Sequence, residues 1–237
     1  MLIKQHVGNF HADHPIVKIS SKESIREPYL DFVAQLQWPS GLLLREYTLF
    51  LDLPVFDPNK AAAYHYDKHK VKMILEAAQM LCTAHHHYAE LYEYDGSYIP
   101  YRKAHYNHPS TQWARENMQT YFWLYDYMMA LGEEYTKRYN KKHLSITKCA
   151  KVLLNPPEGM QNGHFTMPPQ CMPDEYKVLN NSLKAYWNYY INDKKSIINK
   201  NEKPYTDYPF DVNDLDVRLD SNSNYISRYH QTNRQYA

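Results

Sequence analysis

The sequence predicts an all-α protein: a compact, helical bundle-like single domain with a short extended segment and irregular N- and C-terminal extensions. Apolar residues recur at helical spacing over long stretches, and the breaks between them carry capping and proline signals. The 237 residues include 43% hydrophobic residues and only 6 Gly, enough for one substantial core. The predicted parts are an N-terminal extension over 1–47, a helical domain over 48–199 and an irregular tail over 200–237.

The first elements follow from turn and capping residues. Periodicity is weak over residues 1–45, which predicts an extension, with one turn near Pro39. Residues 47–53 are aromatic and β-branched enough for one extended segment. Asp57 followed by Pro58 is a typical N-cap with proline at the first helical position, so a helix is predicted from there to about residue 89.

The later elements alternate between periodic and Pro- or Gly-rich stretches. Three more helices are predicted, at Pro109 to about residue 139, residues 143–154 and residues 178–198. Loops are predicted over 94–108 and, because Pro, Gly and Met are concentrated there, over 158–173. The aperiodic residues from 200 onward predict a tail that is disordered or becomes ordered on binding.

Composition excludes several classes of protein. The formal net charge is +1, so no global field attracts nucleic acid and a DNA-binding protein would need a local basic patch. Three widely spaced Cys form neither a disulfide framework nor a zinc signature, and no membrane span or signal peptide is evident, which predicts a cytoplasmic protein without membrane contact. No phosphate-binding loop or dinucleotide fingerprint occurs, and no cofactor, metal or obligate protein partner is predicted.

A narrow polar stripe on the first predicted helix is the principal candidate site. Its six members follow one another at spacings of 4, 3, 4, 3 and 4 residues: His65, His69, Lys72, Glu76, Gln79 and Thr83. At about 100° per residue they share about 80° of arc. The other faces are mostly apolar, the reverse of an ordinary surface helix, so the stripe is predicted to line a cleft.

The stripe combines groups that suit acid–base chemistry. Glu76 lies one turn from Lys72 and two turns from His69, and an ionised carboxylate there can act as a base or stabilise a cation. A desolvated Lys can act as an amine nucleophile. An interior ion pair with a stacked His is the structural alternative. His65 and His69, at i and i+4, are also spaced to share a zinc ion.

A second candidate site lies where the second predicted helix begins. His108, Trp113 and Arg115 place polar and aromatic groups beside a helix end whose free N–H groups can bind phosphate. Ordinary capping by Asn107 or His108, with Trp113 in the core, is the alternative.

Three stretches carry a family resemblance: HKVKMILEAAQML at 69–81, NHP and WAR within 107–115, and EEYTKRY at 133–139. Over about residues 48–190 the chain resembles the pyrimidine-dimer DNA glycosylase superfamily of phage dimer-specific endonucleases, and most closely its uncharacterised phage and bacterial relatives. The resemblance implies attack of an amine on the sugar C1′ of a damaged pyrimidine through an imine, followed by strand cleavage. It implies that Glu76 is the essential carboxylate and that His69 occupies a basic position of the family helix.

The leading hypothesis is therefore a phage- or virus-type enzyme that acts on duplex DNA with a damaged or modified base, in the cytoplasm of the host cell. Glu76, Lys72 and His69 are the predicted catalytic residues. The predicted DNA contacts are His65, Gln79, His108, Trp113 and Arg115. The target base must leave the stack to reach them. A metal-dependent nucleotide or nucleic-acid hydrolase that uses the His cluster and a non-catalytic viral interaction protein are the alternatives.

Overall fold

The computed structural model describes the backbone of residues 32–38 and 41–47, all of residues 56–194, and short pieces at 198, 203–204, 206, 208, 220–222 and 224–229. The chain divides into two compact units, Met1–Thr48 and Leu49–Ala237. Apart from Tyr47, the extended segment predicted over 47–53 lies outside the described residues.

The first unit contains an antiparallel hairpin. Strand β1 (Phe32–Trp38) pairs with strand β2 (Gly41–Tyr47), in a register that runs from Phe32 opposite Tyr47 to Trp38 opposite Gly41. The turn predicted near Pro39 lies outside the described residues. The two strands were not predicted, because the periodicity of residues 1–45 is weak.

The second unit is all-α in its described residues, which confirms the predicted fold class. Its helices are α1 (Pro58–Tyr64), α2 (Asp67–Leu91), α3 (Pro109–Ala114), α4 (Met118–Tyr139), α5 (Leu144–Cys149) and α6 (Ser182–Asn192). A 3₁₀ turn, Asp174–Tyr176, precedes α6. The longest helices, α2 and α4, pack against each other, and α1 packs on α4.

The first predicted helix is in fact two helices. The Asp57 carboxylate caps α1 as predicted, accepting hydrogen bonds from the backbone N–H groups of Asn59 at 2.9 Å and Lys60 at 3.0 Å. His65 and Tyr66 then adopt extended backbone with ψ of 142° and 153°. The Tyr66 N–H donates to the Tyr190 hydroxyl at 2.6 Å instead of to a helical carbonyl. A contact with a residue of α6, far along the chain, thus replaces a local hydrogen bond at the break.

The second predicted helix is also divided. Helix α3 ends at Ala114, and α4 begins after Asn117, whose side chain accepts from the N–H of Gln119 at 2.8 Å. Thr120 completes the capping box, with its hydroxyl accepting from the Asn117 N–H at 3.4 Å. This reciprocal cap fixes the start of a new helix where apolar periodicity alone continues across the break.

Tyrosine and tryptophan side chains fill much of the core between the helices, and their polar tips have partners. The Trp123 indole N–H donates to the Phe56 carbonyl at 2.7 Å. The hydroxyl groups of Tyr121 and Tyr125 donate to the Leu153 and Ala150 carbonyls at 2.9 and 2.8 Å. Large rings therefore bury their apolar bodies without leaving these polar atoms unsatisfied.

Part of the predicted tail is packed in the structure. Tyr225 is buried, and its ring lies 5.9 Å from that of Phe165. Its backbone N–H donates to the Gln119 side-chain oxygen at 2.7 Å. Within the tail, which was predicted to be irregular and either disordered or ordered on binding, Tyr225 thus has partners on α4 and on the 158–173 segment.

Candidate functional site

The six stripe residues do not form one open groove. His69, Glu76 and Thr83 of α2 are buried, whereas Lys72 and Gln79 are half-buried. His65 is buried as well, but it ends α1 and does not belong to the helix that carries the others. No stripe residue lines the cleft beside α3 or the cleft between α1 and α4.

The two histidines of the stripe lie within an aromatic cluster. Their ring centroids are 5.7 Å apart, and the His65 Nε2 atom is hydrogen-bonded to the Tyr127 hydroxyl. The Tyr190 ring lies 6.0 Å from His65 and 5.7 Å from His69. Burial, and to a lesser extent the charge on Lys70, lowers the pKa of His65 to about 3. Burial also lowers the pKa of His69 well below 6.5, with smaller contributions from His65, Lys194 and Lys72. Both imidazoles are therefore neutral at pH 7.

Lys72 and Glu76 form the ion pair that the sequence analysis gave as an alternative to catalysis. Their charged atoms are 3.6 Å apart across one helical turn, and the Glu76 side chain is only 8% exposed while that of Lys72 is 28% exposed. At the far end of the stripe, the Thr83 hydroxyl donates to the Ala104 carbonyl at 2.9 Å and accepts from the Ala104 N–H at 3.0 Å. These contacts fix the helix to the loop over 94–108.

The three residues predicted at the second site take different positions. His108 caps α3, its Nδ1 atom accepting from the Ser110 N–H at 3.2 Å. Trp113 is buried against Trp123, and its indole N–H donates to the Thr166 carbonyl at 3.0 Å. Arg115 follows the helix and is half-buried. Capping therefore accounts for His108 and core packing for Trp113, whereas neither accounts for Arg115.

Arg115 lies on an open cleft of about 550 Å³ beside α3. The cleft is lined by one residue of α2, residues of or next to α3, and part of the 158–173 segment: His87, Pro109, Gln112, Trp113, Arg115, Glu116, Thr166, Met167 and Pro169. A second cleft of about 260 Å³ lies between α1 and α4, next to Glu133 and Lys137.

Tyr106 holds two polar groups of the larger cleft. The Arg115 guanidinium carbon lies 4.0 Å from the centroid of the Tyr106 ring, and its Nη1 donates to the Tyr106 carbonyl at 2.6 Å. The Tyr106 hydroxyl is 2.7 Å from Nδ1 of His87. Burial lowers the pKa of His87, and the charges on Arg115 and Lys103 lower it further while Glu90 opposes them. A neutral imidazole and a fixed guanidinium therefore line one cleft.

The sequence analysis missed His87, although a signal for it was present. His87 lies four residues after Thr83 and falls on the same arc of about 80° at about 100° per residue, although a strict alternation of 4 and 3 would lead to His86. Helical spacing could not have identified three other residues at the cleft, because separate segments bring them there: Tyr106, Glu116 and Thr166.

The described residues contain neither a cluster of metal-ligating side chains nor a helix that could span a membrane. In that part of the chain, no three side chains of His, Cys, Asp or Glu lie close enough together to hold a metal ion. None of the helices described has the length and apolar character needed to cross a membrane. The metal-dependent hydrolase stays a prediction.

Similarity to known proteins is found at the N-terminus. A family model described as the FimV N-terminal domain, an Ig-like domain, matches residues 3–54. The chain is 46% identical over 48 residues to the motility hub protein FimV from two strains of Pseudomonas aeruginosa. The matched stretch covers 20% of this chain and 5% of each relative. No solved structure matches the chain.

This similarity contradicts the predictions of duplex DNA as the partner and of a phage DNA-repair glycosylase or lyase. The matched relatives are described as motility hub proteins, so the prediction of no obligate protein partner is corrected together with that of DNA. A net charge of +1 also supplies no general attraction for DNA. The glycosylase resemblance was drawn from about residues 48–190, which the match hardly touches, and as a resemblance it stays a prediction.

Proposed function

We propose that this chain is a bacterial protein-interaction component whose N-terminal unit makes contacts like those of the N-terminal domain of a motility hub protein. The observation that carries the proposal is the 46% identity to FimV over 48 residues. The hairpin of β1 and β2 lies inside the matched residues 3–54. Antiparallel strands are the building elements of Ig-like domains, so the backbone of this unit agrees with the match.

Contacts of the helical unit support a packing role for the stripe rather than a catalytic one. His65 is bonded to Tyr127, and Lys72 is paired with Glu76. His69 lies against the rings of His65 and Tyr190. These side chains connect α1, α2, α4 and α6, and that function in packing explains why polar groups follow one face of a largely buried helix.

A chimera tests the proposed role of the N-terminal unit. In Pseudomonas aeruginosa FimV, the matched stretch is replaced by residues 3–54 of this chain, and motility is compared with that of cells whose FimV lacks the stretch. We expect the chimera to restore motility. The matched control carries Leu43→Pro. Proline fixes φ and removes one backbone N–H in the middle of β2, so we expect this variant not to restore motility.

The level of each FimV variant is measured by immunoblotting. The proposal is supported if the chimera with the unaltered segment restores motility and the chimera with Leu43→Pro does not. A chimera that is present at the normal level and leaves the cells as non-motile as the deletion contradicts it.

A further inference from the structure

The open cleft beside α3 is large enough for a small ligand, and nothing in the proposed function uses it. Its volume of about 550 Å³ is within the usual range for small-molecule sites. We propose that it binds a small phosphate monoester that carries an apolar organic group. Arg115 and His87 would bind the phosphate, and the walls of the cleft would contact the organic group.

Arg115 supplies a positive charge that no carboxylate neutralises by direct contact. No Asp or Glu of the described residues lies within ion-pair distance of its guanidinium, although several other cations of the chain are paired in this way. Its contact with the Tyr106 carbonyl uses one of five N–H groups, and the centroid of the Tyr106 ring, 4.0 Å from the guanidinium carbon, adds a cation–π contact that favours this position. The remaining N–H groups are available to an anion.

His87 adds a neutral donor to the same cleft. When its Nδ1 accepts from the Tyr106 hydroxyl, the ring proton is on Nε2, which is available to a ligand oxygen. Tyr106 thus positions both groups, through its hydroxyl for His87 and through its carbonyl and ring for Arg115. Such second contacts hold a binding group in place before the ligand arrives.

Donors from separate segments favour phosphate over carboxylate. The guanidinium, the imidazole N–H and the exposed side-chain amide of Gln112 all line the cleft. A phosphate monoester has three terminal oxygens in a tetrahedral arrangement, whereas a carboxylate has two oxygens in one plane, so phosphate can accept from more directions. The lining residues Pro109, Met167 and Pro169 supply apolar surface for the rest of the ligand.

Glu116 is the group in the cleft that opposes an anion. It is exposed, and its Oε2 accepts from the Thr166 hydroxyl at 3.0 Å. Its negative charge weakens binding of a phosphate and would strengthen binding of a cation. The effect of removing this charge therefore distinguishes an anion site from a site for a cation or zwitterion.

Isothermal titration calorimetry of the full chain with phenyl phosphate tests the proposal. Inorganic phosphate and benzoate are the comparison probes, because each lacks one of the two required parts. We expect saturable binding at one site, with phenyl phosphate binding about tenfold more tightly than either comparison probe. Absence of saturable binding, or benzoate binding as tightly as phenyl phosphate, would overturn the proposal.

Three substitutions identify the site. Arg115→Gln is expected to weaken phenyl phosphate binding about tenfold. Arg102→Gln is the matched control, since Arg102 is exposed and does not line the cleft, and it should leave the affinity within about twofold. Glu116→Gln should strengthen binding about threefold, because it removes an opposing charge without touching the donors.

Circular dichroism confirms that each variant is folded, and Arg115→Lys provides a second variant that keeps the charge but loses the planar donor arrangement. Intermediate affinity of Arg115→Lys supports the geometry proposed. Equal effects of Arg115→Gln and Arg102→Gln, or weaker binding by Glu116→Gln, would show that the cleft is not a phosphate site.

Discussion

The Asp126 carboxylate accepts a hydrogen bond from the Tyr225 hydroxyl at 2.8 Å, between residues 99 positions apart. The same carboxylate accepts from the Ser227 hydroxyl at 2.8 Å and from the Arg228 backbone N–H at 2.7 Å. Asp126 is 3% exposed, so these bonds are protected from water. One buried carboxylate on α4 therefore holds residues 225–228 against the helical core.

We predict that Asp126→Asn releases this C-terminal piece. An amide places N–H donors where three donors already converge, and the expected loss of stability is about 1–3 kcal/mol. Hydrogen exchange at residues 224–229 should become faster than in the unaltered protein. Asp193→Asn, an exposed control, should change neither stability nor exchange there. If hydrogen exchange at residues 224–229 is as slow in Asp126→Asn as in the unaltered protein, Asp126 does not hold this piece.

Buried histidines should make the fold sensitive to acid. Burial is the first cause that lowers the pKa of His65 to about 3 and that of His85 to about 4, so both are neutral when folded at pH 5. In the unfolded chain they gain a proton near pH 6.5. Stability is therefore full above pH 6.5 and falls as the pH drops toward 4, by about 2 kcal/mol for each histidine at pH 5.

Urea unfolding at pH 7 and pH 5 measures this loss. His85, which is bonded to the hydroxyl groups of Tyr98 and Tyr121, is the residue to replace. In His85→Gln the difference in unfolding free energy between the two pH values should shrink by about 2 kcal/mol. His164→Gln, at an exposed position, should leave it unchanged. Equal stability of the unaltered protein at both pH values would disprove the prediction.

The ion pair on α2 should contribute more to stability than an exposed pair of similar spacing. Lys72→Gln removes the cation 3.6 Å from the nearly buried Glu76 carboxylate, and we expect a loss of about 1–2 kcal/mol because Lys72 itself is partly solvated. Lys177→Gln removes a partner of Asp174, whose side chain is 86% exposed, and should cost less than about 0.5 kcal/mol. Thermal unfolding compares the two variants, and equal losses would refute the assignment.

Gly132 allows α5 to approach α4. A Cβ atom at this position would lie 2.6 Å from Cγ1 and 2.8 Å from Cδ1 of Ile146. Gly132→Ala should therefore cost about 1 kcal/mol even though alanine favours the helix. Adding Ile146→Ala removes the clash, so the double variant should be more stable than the sum of the two single effects predicts. Simple additivity would show that the glycine is not needed for this contact.

Sequence patterns predicted the elements whose signals are local. Asp57 and Pro58 begin a helix as expected, and Pro109 begins another. The break at His65 and Tyr66 was not predictable, because the groups that stabilise it, Tyr127 and Tyr190, are 62 and 124 positions away. Neither residue at the break is Gly or Pro, so no local signal marks it.

The candidate site, too, was predictable only where its signal is local in the sequence. Arg115 was identified from its neighbourhood in sequence, but the cleft that it lines also needs His87 from α2 and Thr166 from the 158–173 segment. Five of the six stripe residues lie on the mostly buried helix α2, and His65 lies at the end of α1. The side chains of the stripe satisfy interior contacts such as that between His65 and Tyr127, which a helical projection of one segment cannot show.

In the helical unit, we expect ligand binding at the Arg115 cleft and not at the stripe. Nuclear magnetic resonance of the full chain, titrated with phenyl phosphate, tests this most directly. We expect the imidazole signals of His87 and the indole N–H signal of Trp113 to shift together, while the imidazole signals of His65 and His69 stay in place. Shifts confined to His65 and His69, with His87 unchanged, would contradict it.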